Sequence, residues 1–445
     1  MKPLSLMPLL ILIIQTLLFT TACKQSTEPK LEAELKLELE DASCTEAWIK
    51  LSATNLQFPA TINLLKDGNV AQTISLWRDA DTVLYVDSLL PNQTYKFKTI
   101  VQSSNQQINT SSNELTVTTM DTTSHEFSWQ SWEFGTTGSS TLYDVAIIDE
   151  NDIWAVGEIN IADTSINGYT TYNAVHWDGT KWELKRIQFY TFCGQQHTGS
   201  YPAKSVFAFG SNDVWIAMDG SQVVRWNGST QSQPICTPVS INKLWGSSSE
   251  DLYAVGNGGN IAHWDGRKWT KIENLSDVSL RDIKGYNNRL WISGYSSDYL
   301  KSILFELKNN SLAVIWSNFS TNGTEPFGNN IYSIYPTEKD LFIASNYGVF
   351  RKKLIVGNLT EKIFHPSVKV NQIIGTGKND IFTVDDWSSI WHYNGITARN
   401  IYKDELTISV LRSADAKKNI FVAVGIEKVN VVYYKAKIIV SRRIN

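Results

Sequence analysis

Apolar and polar residues alternate strictly over residues 34–40, with Leu35, Leu37 and Leu39 on one side and Lys36 and Glu38 on the other. That period of two predicts a half-buried strand. Further strands are predicted at 47–54, 60–65, 82–87, 94–101 and 114–119, and Asp67-Gly68-Asn69 reads as a hairpin turn. After residue 150 the pattern changes to short aromatic and aliphatic runs cut by turn signals. Residues 251–269 (DLYAVGNGGNIAHWDGRKW) are the clearest example. A strand at 252–255 stops at Gly256-Asn257, a second at 260–264 stops at Asp265-Gly266, Trp269 opens a third, and 241–245 supplies a fourth upstream. Nothing reads as a helix.

This unit recurs. Its apolar residue after the turn is Ile153, Val214, Leu252, Leu290, Leu341, Ile381 and Ile420, each followed by an aromatic residue. The intervals are 61, 38, 38, 51, 40 and 39 residues, and four of the six fall close to the roughly 40–45 residues of a four-stranded propeller blade. The two long intervals predict loop insertions, at 159–172 with 189–202, and at 309–327. Seven anchors predict a seven-bladed β-propeller over 127–445. The last blade, with strands at 406–414, 420–425 and 437–442, ends one strand short, and residues 127–134 stand unassigned ahead of the first. They are predicted to complete the last blade, which would leave only short, protected sheet edges.

Composition adds an address rather than an activity. Of the 16 Trp, 14 follow residue 125, and the net charge of −4 offers no case for nucleic acid. Lys2, an apolar run over 9–19 and Ala22 before Cys23 have the shape of a secretory signal, too short to span a bilayer. LFTTAC at 18–23 resembles the cleavage box of bacterial lipoproteins, with Thr20 where that pattern has Leu. The resemblance implies that Cys23 is the lipidated N-terminus after removal of 1–22, that 23–30 is a tether, and, with Lys24 rather than Asp following, that the chain sits at the outer membrane or cell surface. Leu89, Pro91 and Tyr95 in LLPNQTY resemble the fibronectin type III pattern, which implies a small β-sandwich over 31–121 with Tyr95 in a corner hydrogen bond. Residues 122–126 then form a linker. The chain as a whole resembles secreted bacterial lipoproteins carrying such a domain and a propeller of Trp-Asp-Gly-x-x-Trp repeats. The expected fold class is all-β.

Candidate chemistry is sparse. His176, His263 and His392 occupy one repeat position in different blades, so they are expected to be repeat features and not metal ligands. No metal, cofactor or catalytic set is predicted: there is no phosphate loop, nucleophile elbow or zinc motif. Asp219, Tyr295, Tyr347, Asp385, Asp386 and Trp387 follow the second strand of their blades. That loop normally opens near the central channel, where acids and aromatics would bind a ligand or simply form a solvated rim. Glycoside hydrolysis would need carboxylates about 5–10 Å apart. Asp385 and Asp386 are adjacent in sequence and, if extended, point to opposite faces. Cys193 and Cys236 are a possible disulfide between neighbouring blades. The insertion at 186–204 carries Phe189, Tyr190, Phe192 and Tyr201, for contact with a ligand or for folding back over the blade.

The expected function is a membrane-anchored, non-catalytic binding protein that presents a propeller face to a glycan or an envelope protein. Two other readings stay open. One is a carbohydrate-active hydrolase or lyase with its acids at the channel; the other is a scaffold subunit of an envelope complex. Oligomeric state is not predicted.

Overall fold

The computed structural model describes residues 32–102, 108–273, 276–309, 311–318, 327–328, 330–354, 359–366, 368–404, 408–430 and 432–444. Cys23, the leader 1–22, the tether 23–30 and residues 406–407 lie outside the described residues.

Two sheets form the N-terminal unit. Glu34–Ala42, Ala47–Thr54 and Ala80–Val86 make one; Ala60–Lys66, Asn69–Leu76, Thr94–Gln102, Ile108–Ser111 and Leu115–Thr118 make the other. Leu37, Ile49, Leu51, Ile62, Leu64 and Phe97 are buried between them. The strand Asn69–Leu76 was absent from the sequence expectation because almost every one of its residues faces solvent, which leaves no apolar alternation to read.

From residue 127 onward the chain builds seven four-stranded antiparallel sheets. Their innermost strands are Thr141–Asp149, Ala203–Gly210, Lys243–Ser248, Leu280–Tyr286, Ile331–Pro336, Val370–Gly377 and Ile408–Lys417. Each packs against the next, and the first packs against the last, closing a β-propeller. Phe127–Phe134 is the outer strand of blade seven, running antiparallel to Tyr434–Arg443 with Val440 opposite Gln130. Its Trp132 reaches back to blade one, 5.9 Å from Trp177 and 6.0 Å from Trp182 between ring centres.

The repeated aromatic anchors are core residues: Trp154, Trp215, Trp291, Phe342, Phe382 and Phe421 are all at most 2 % exposed. Three of the seven anchors stack on the repeat histidines, at 4.4 Å for Trp154–His176, 4.4 Å for Tyr253–His263 and 4.7 Å for Phe382–His392. Each histidine also bonds the acid that opens the second strand, His176 to Asp152 at 2.8 Å, His263 to Asp251 at 2.7 Å and His392 to Asp380 at 2.8 Å. In blade two Arg225 takes the same place, 2.6 Å from Asp213.

Parts of the expected insertions are sheet. Residues 159–172 extend a hairpin between Asp152–Ala162 and Tyr169–Trp177, and the 309–327 stretch contains the outer strand of blade four, Ser311–Ser317. In the loop between blades one and two, Phe189 is fully buried and Tyr201 donates to Thr191 Oγ1 at 2.8 Å, so this loop folds back over its blade. Phe192 alone of the four aromatics stands well out, at 66 % exposed. A disulfide between Cys193 and Cys236 ties the loop to the outer strand of blade two. Cys44 is a buried free thiol whose pKa is pushed up to about 11 by burial.

The sandwich docks on blades five and six. Lys339 bonds Glu40 at 2.8 Å, Lys353 bonds Glu46 at 2.6 Å, and Arg351 also pairs with Glu46. Thr123 of the linker donates to the Asn379 carbonyl at 2.6 Å. Lys339 and Asn379 lie in the turns where inner strands end, so the sandwich sits on the face opposite to the one where inner strands begin. Glu34, at the start of its first strand, is at the end of the sandwich remote from the propeller, whereas Glu40 and Asp41 of the same strand touch it.

Candidate functional site

Where the inner strands begin, six of the seven carry a β-bulge, between Leu142 and Asp144, Ala203 and Ser205, Leu280 and Asp282, Ile331 and Ser333, Val370 and Gln372, and Leu411 and Ser413. A bulge inserts one unpaired residue and re-aims its side chain. The inserted residues are Tyr143, Lys204, Arg281, Tyr332, Asn371 and Arg412, and all six line one cavity of about 230 Å³ at the mouth of the channel. Blade three has no bulge there and contributes Asn242, whose amide nitrogen donates to the Leu280 carbonyl at 2.9 Å. The bulge needs a partner strand that lets it approach. In blades one and seven that partner is glycine: a Cβ on Gly157 would lie 2.0 Å from the Thr141 carbonyl oxygen, and one on Gly425 would lie 1.9 Å from that of Val410.

The next residue of each inner strand forms the floor and locks the ring. Asp144 accepts from Ser205 Oγ at 2.7 Å and from the Val206 amide at 3.0 Å; Ser205 Oγ accepts from the Leu244 amide at 3.0 Å. Asp282 accepts from Ser333 Oγ and the Ile334 amide, Ser333 from the Ile373 amide, and Gln372 from the Ala414 amide at 2.7 Å. Thus one blade's side chain satisfies a backbone N–H on the inner strand of the next, beside a bulge in every case except Leu244 of blade three. Lys243 reaches across blade two to Asp144 at 2.6 Å. Burial raises the Asp144 pKa, but Lys243 and the Ser205 and Ser413 hydroxyls outweigh it and hold the carboxyl below its ordinary value.

The mouth is rich in cations and tyrosines. Five lining side chains are cationic (Lys204, Lys243, Arg281, Lys369, Arg412) and three are carboxylates (Asp144, Asp282, Asp386). Lys204 Nζ stands 4.2 Å from the centre of the Tyr143 ring, Arg281 5.3 Å from Tyr295, and Lys369 5.3 Å from Tyr332 and 5.8 Å from Tyr295. Tyr299 stacks on Tyr295 at 5.4 Å. Burial lowers the Lys204 pKa although Asp219 lies 3.7 Å away, and burial pushes the Tyr332 hydroxyl up to about 12. Arg281, Lys369 and Arg412 form no ion pair with any described residue, and the Arg281 Nε is buried without a hydrogen-bond partner.

The residues expected from sequence divide. Tyr295 and Asp386 line the mouth, Asp386 accepting from Asn371 at 2.7 Å. Asp219 is at the rim as the partner of Lys204. Asp385 is 1 % exposed and serves its own turn, accepting from the Trp387 and Ser389 amides at 2.9 Å, so it is closed to a ligand. Trp387 and Tyr347 are exposed at 66 % and 52 % but stand outside the mouth; Tyr347 flanks a separate surface hollow with Phe350 and Lys362. The bulge residues were missed. The signal available was the position just before an Asp, Ser or Gln followed by Val or Ile, which recurs in the inner strands of blades one, two, four, five and six but not in blade seven, where the pair is Ser413-Ala414.

No family model and no curated protein matches the chain. Among solved structures, YCF48 bound to D1 peptide matches with a TM-score of 0.51 at 15% identity, covering 71% of this chain and 95% of that one. A selenomethionine-substituted virginiamycin B lyase from Staphylococcus aureus matches with a TM-score of 0.50 at 12% identity, covering 72% and 100%. At these identities the likeness is one of fold, and it is to β-propeller proteins.

Proposed function

We propose that this chain is a lipid-anchored envelope or cell-surface protein that binds a glycan at the mouth of its propeller without cleaving it. The observation that carries the reading is the convergence of six bulge side chains on one polar cavity. Bulges are retained where a side chain must be re-aimed, often beside functional sites, and binding residues concentrate on loops positioned by a rigid scaffold.

The arrangement of the domains supports a display role. The mouth faces away from the sandwich, and the first sandwich strand begins at the end remote from the propeller. A tether at residues 23–30 leading to a lipid on Cys23 would leave from that remote end. The sandwich then acts as a spacer that holds the mouth off the membrane. Its reading as fibronectin type III-like is supported by the Tyr95 hydroxyl, which accepts from the Leu90 amide at 2.9 Å.

The carboxylates favour binding over catalysis. Asp144 is tied to Lys243, Asp282 to Ser333 and the Ile334 amide, and Asp386 to Asn371. Among the described residues lining the mouth, each carboxylate is already held by a cation, a hydroxyl or an amide, which favours binding over the paired acid and base that glycoside hydrolysis uses. A glycan-array screen with residues 24–445, followed by a cleavage assay on every hit, tests the proposal. Binding without cleavage supports it. Cleavage moves the assignment to a carbohydrate-active enzyme. An empty array moves it to a protein ligand, to be sought by pull-down from envelope extract.

A further inference from the structure

Resting on that reading, we infer that the mouth recognises an acidic sugar, a uronate-type carboxylate carried on an oligosaccharide. The charge inventory leads there. Lys243 is consumed by Asp144 and Lys204 is shared with Asp219, but Arg281, Lys369 and Arg412 have no acid among the described residues. Three uncommitted cations around one cavity repel one another until an anion enters. The buried Arg281 Nε adds a donor with no acceptor, and such a group carries its full desolvation cost until one arrives. Charge-assisted hydrogen bonds to a carboxylate would meet both needs.

The tyrosines argue the same way. A neutral sugar is gripped by stacking on a free aromatic face, yet Tyr143 carries Lys204 and Arg412 against its ring, and Tyr295 carries Arg281 and Lys369. These rings orient cations by cation–π attraction; they are not open platforms.

The cavity is also the wrong shape for an acidic peptide. No aliphatic side chain lines it, so a peptide's apolar side chains would find no seat. At about 230 Å³ it is smaller than the roughly 300–1,000 Å³ of ordinary ligand pockets and suits one terminal ring. Asp386, a single carboxylate at the edge, suits a ring hydroxyl and disfavours a second acid group.

Calorimetric titration of residues 24–445 with short galacturonate, mannuronate and glucuronate oligomers tests this, alongside the same oligomers with their carboxyls reduced to alcohols. The expected result is binding of at least one acidic oligomer and roughly tenfold or weaker binding of its reduced form. Lys369→Gln and Arg412→Gln should each weaken the acidic ligand by a similar factor with an unchanged melting temperature. Equal affinity for acidic and reduced forms overturns the inference while leaving glycan binding at the mouth intact. Affinity untouched by both variants overturns the location. Preference for a polyglutamate peptide over every uronate overturns the sugar. Failure with every uronate while the array returns neutral glycans overturns the acid specificity alone, and failure with every glycan overturns the broader reading too.

Discussion

Lys243 of blade three and Asp144 of blade one meet at 2.6 Å across the intervening blade, both at the floor of the channel mouth. Asp144 simultaneously accepts from the Ser205 and Ser413 hydroxyls, so one carboxylate joins blades one, two, three and seven. Asp144→Ala leaves Lys243 buried and unpaired and should destabilise the protein by about 3–5 kcal/mol in chemical denaturation. The pH dependence has a definite sign. The folded carboxyl titrates below the ordinary value of about 3.9, so its stabilisation is complete above about pH 4 and is lost as the pH falls further.

Asp340 behaves in the opposite way. It is fully buried near the sandwich interface with no hydrogen-bond partner for either carboxylate oxygen, and burial raises its pKa to about 6 in spite of Arg351 at 4.0 Å. The folded state holds this proton more tightly than the unfolded chain. Stability is therefore lost as pH rises from about 4 through about 6, by on the order of 2–3 kcal/mol. Asp340→Asn should flatten that part of the pH–stability curve; a curve with unchanged slope would mean that Asp340 ionises at its ordinary value.

The histidines predict a loss of stability, not of a metal. His176 stacks on Trp154 and bonds Asp152. His176→Ala should cost roughly 1–2 kcal/mol, and Trp154→Ala roughly 3–5 kcal/mol by opening a core cavity. Zinc titration should give identical, negligible heats for wild type and the His176 variant.

Ring closure rests on the strand Phe127–Phe134. Comparing residues 126–445 with residues 140–445 isolates it, since both lack the sandwich. The shorter chain exposes the hydrogen-bonding edge of Tyr434–Arg443 and should aggregate or melt well below the longer one. Equal melting temperatures would show that the ring closes without this strand.

Anchoring is separable from everything above. Cys23→Ser should move the protein from the membrane fraction to the soluble fraction after fractionation of expressing cells, and retention of the variant would count against a lipid on Cys23.

Much of the fold could be read from the chain because every blade repeats a turn followed by a buried anchor such as Trp215 or Phe382, and blades one, two, three and six add an Asp-Gly or Asn-Gly turn. The closing strand was readable for a different reason: blade seven lacked a partner and 127–134 lacked a blade. The site was harder. Side chains after the second strand drew attention because they are acidic or aromatic, and Tyr295 and Asp386 do reach the mouth. Asp385 does not, because its carboxylate folds back on the Ser389 turn. Lys204, Arg281 and Arg412 were invisible because a bulge is a register shift between two strands, and a single strand's periodicity does not record it. Their charges also differ from blade to blade, so no repeat motif announced them.

The most direct measurement is a crystal structure of residues 24–445 with whichever oligosaccharide the array identifies. The sugar's terminal ring is expected in the channel mouth, within hydrogen-bond distance of Arg281 and Arg412. Density for the ligand on the far face, or on the exposed Trp387 and Tyr347, with an empty mouth would contradict it.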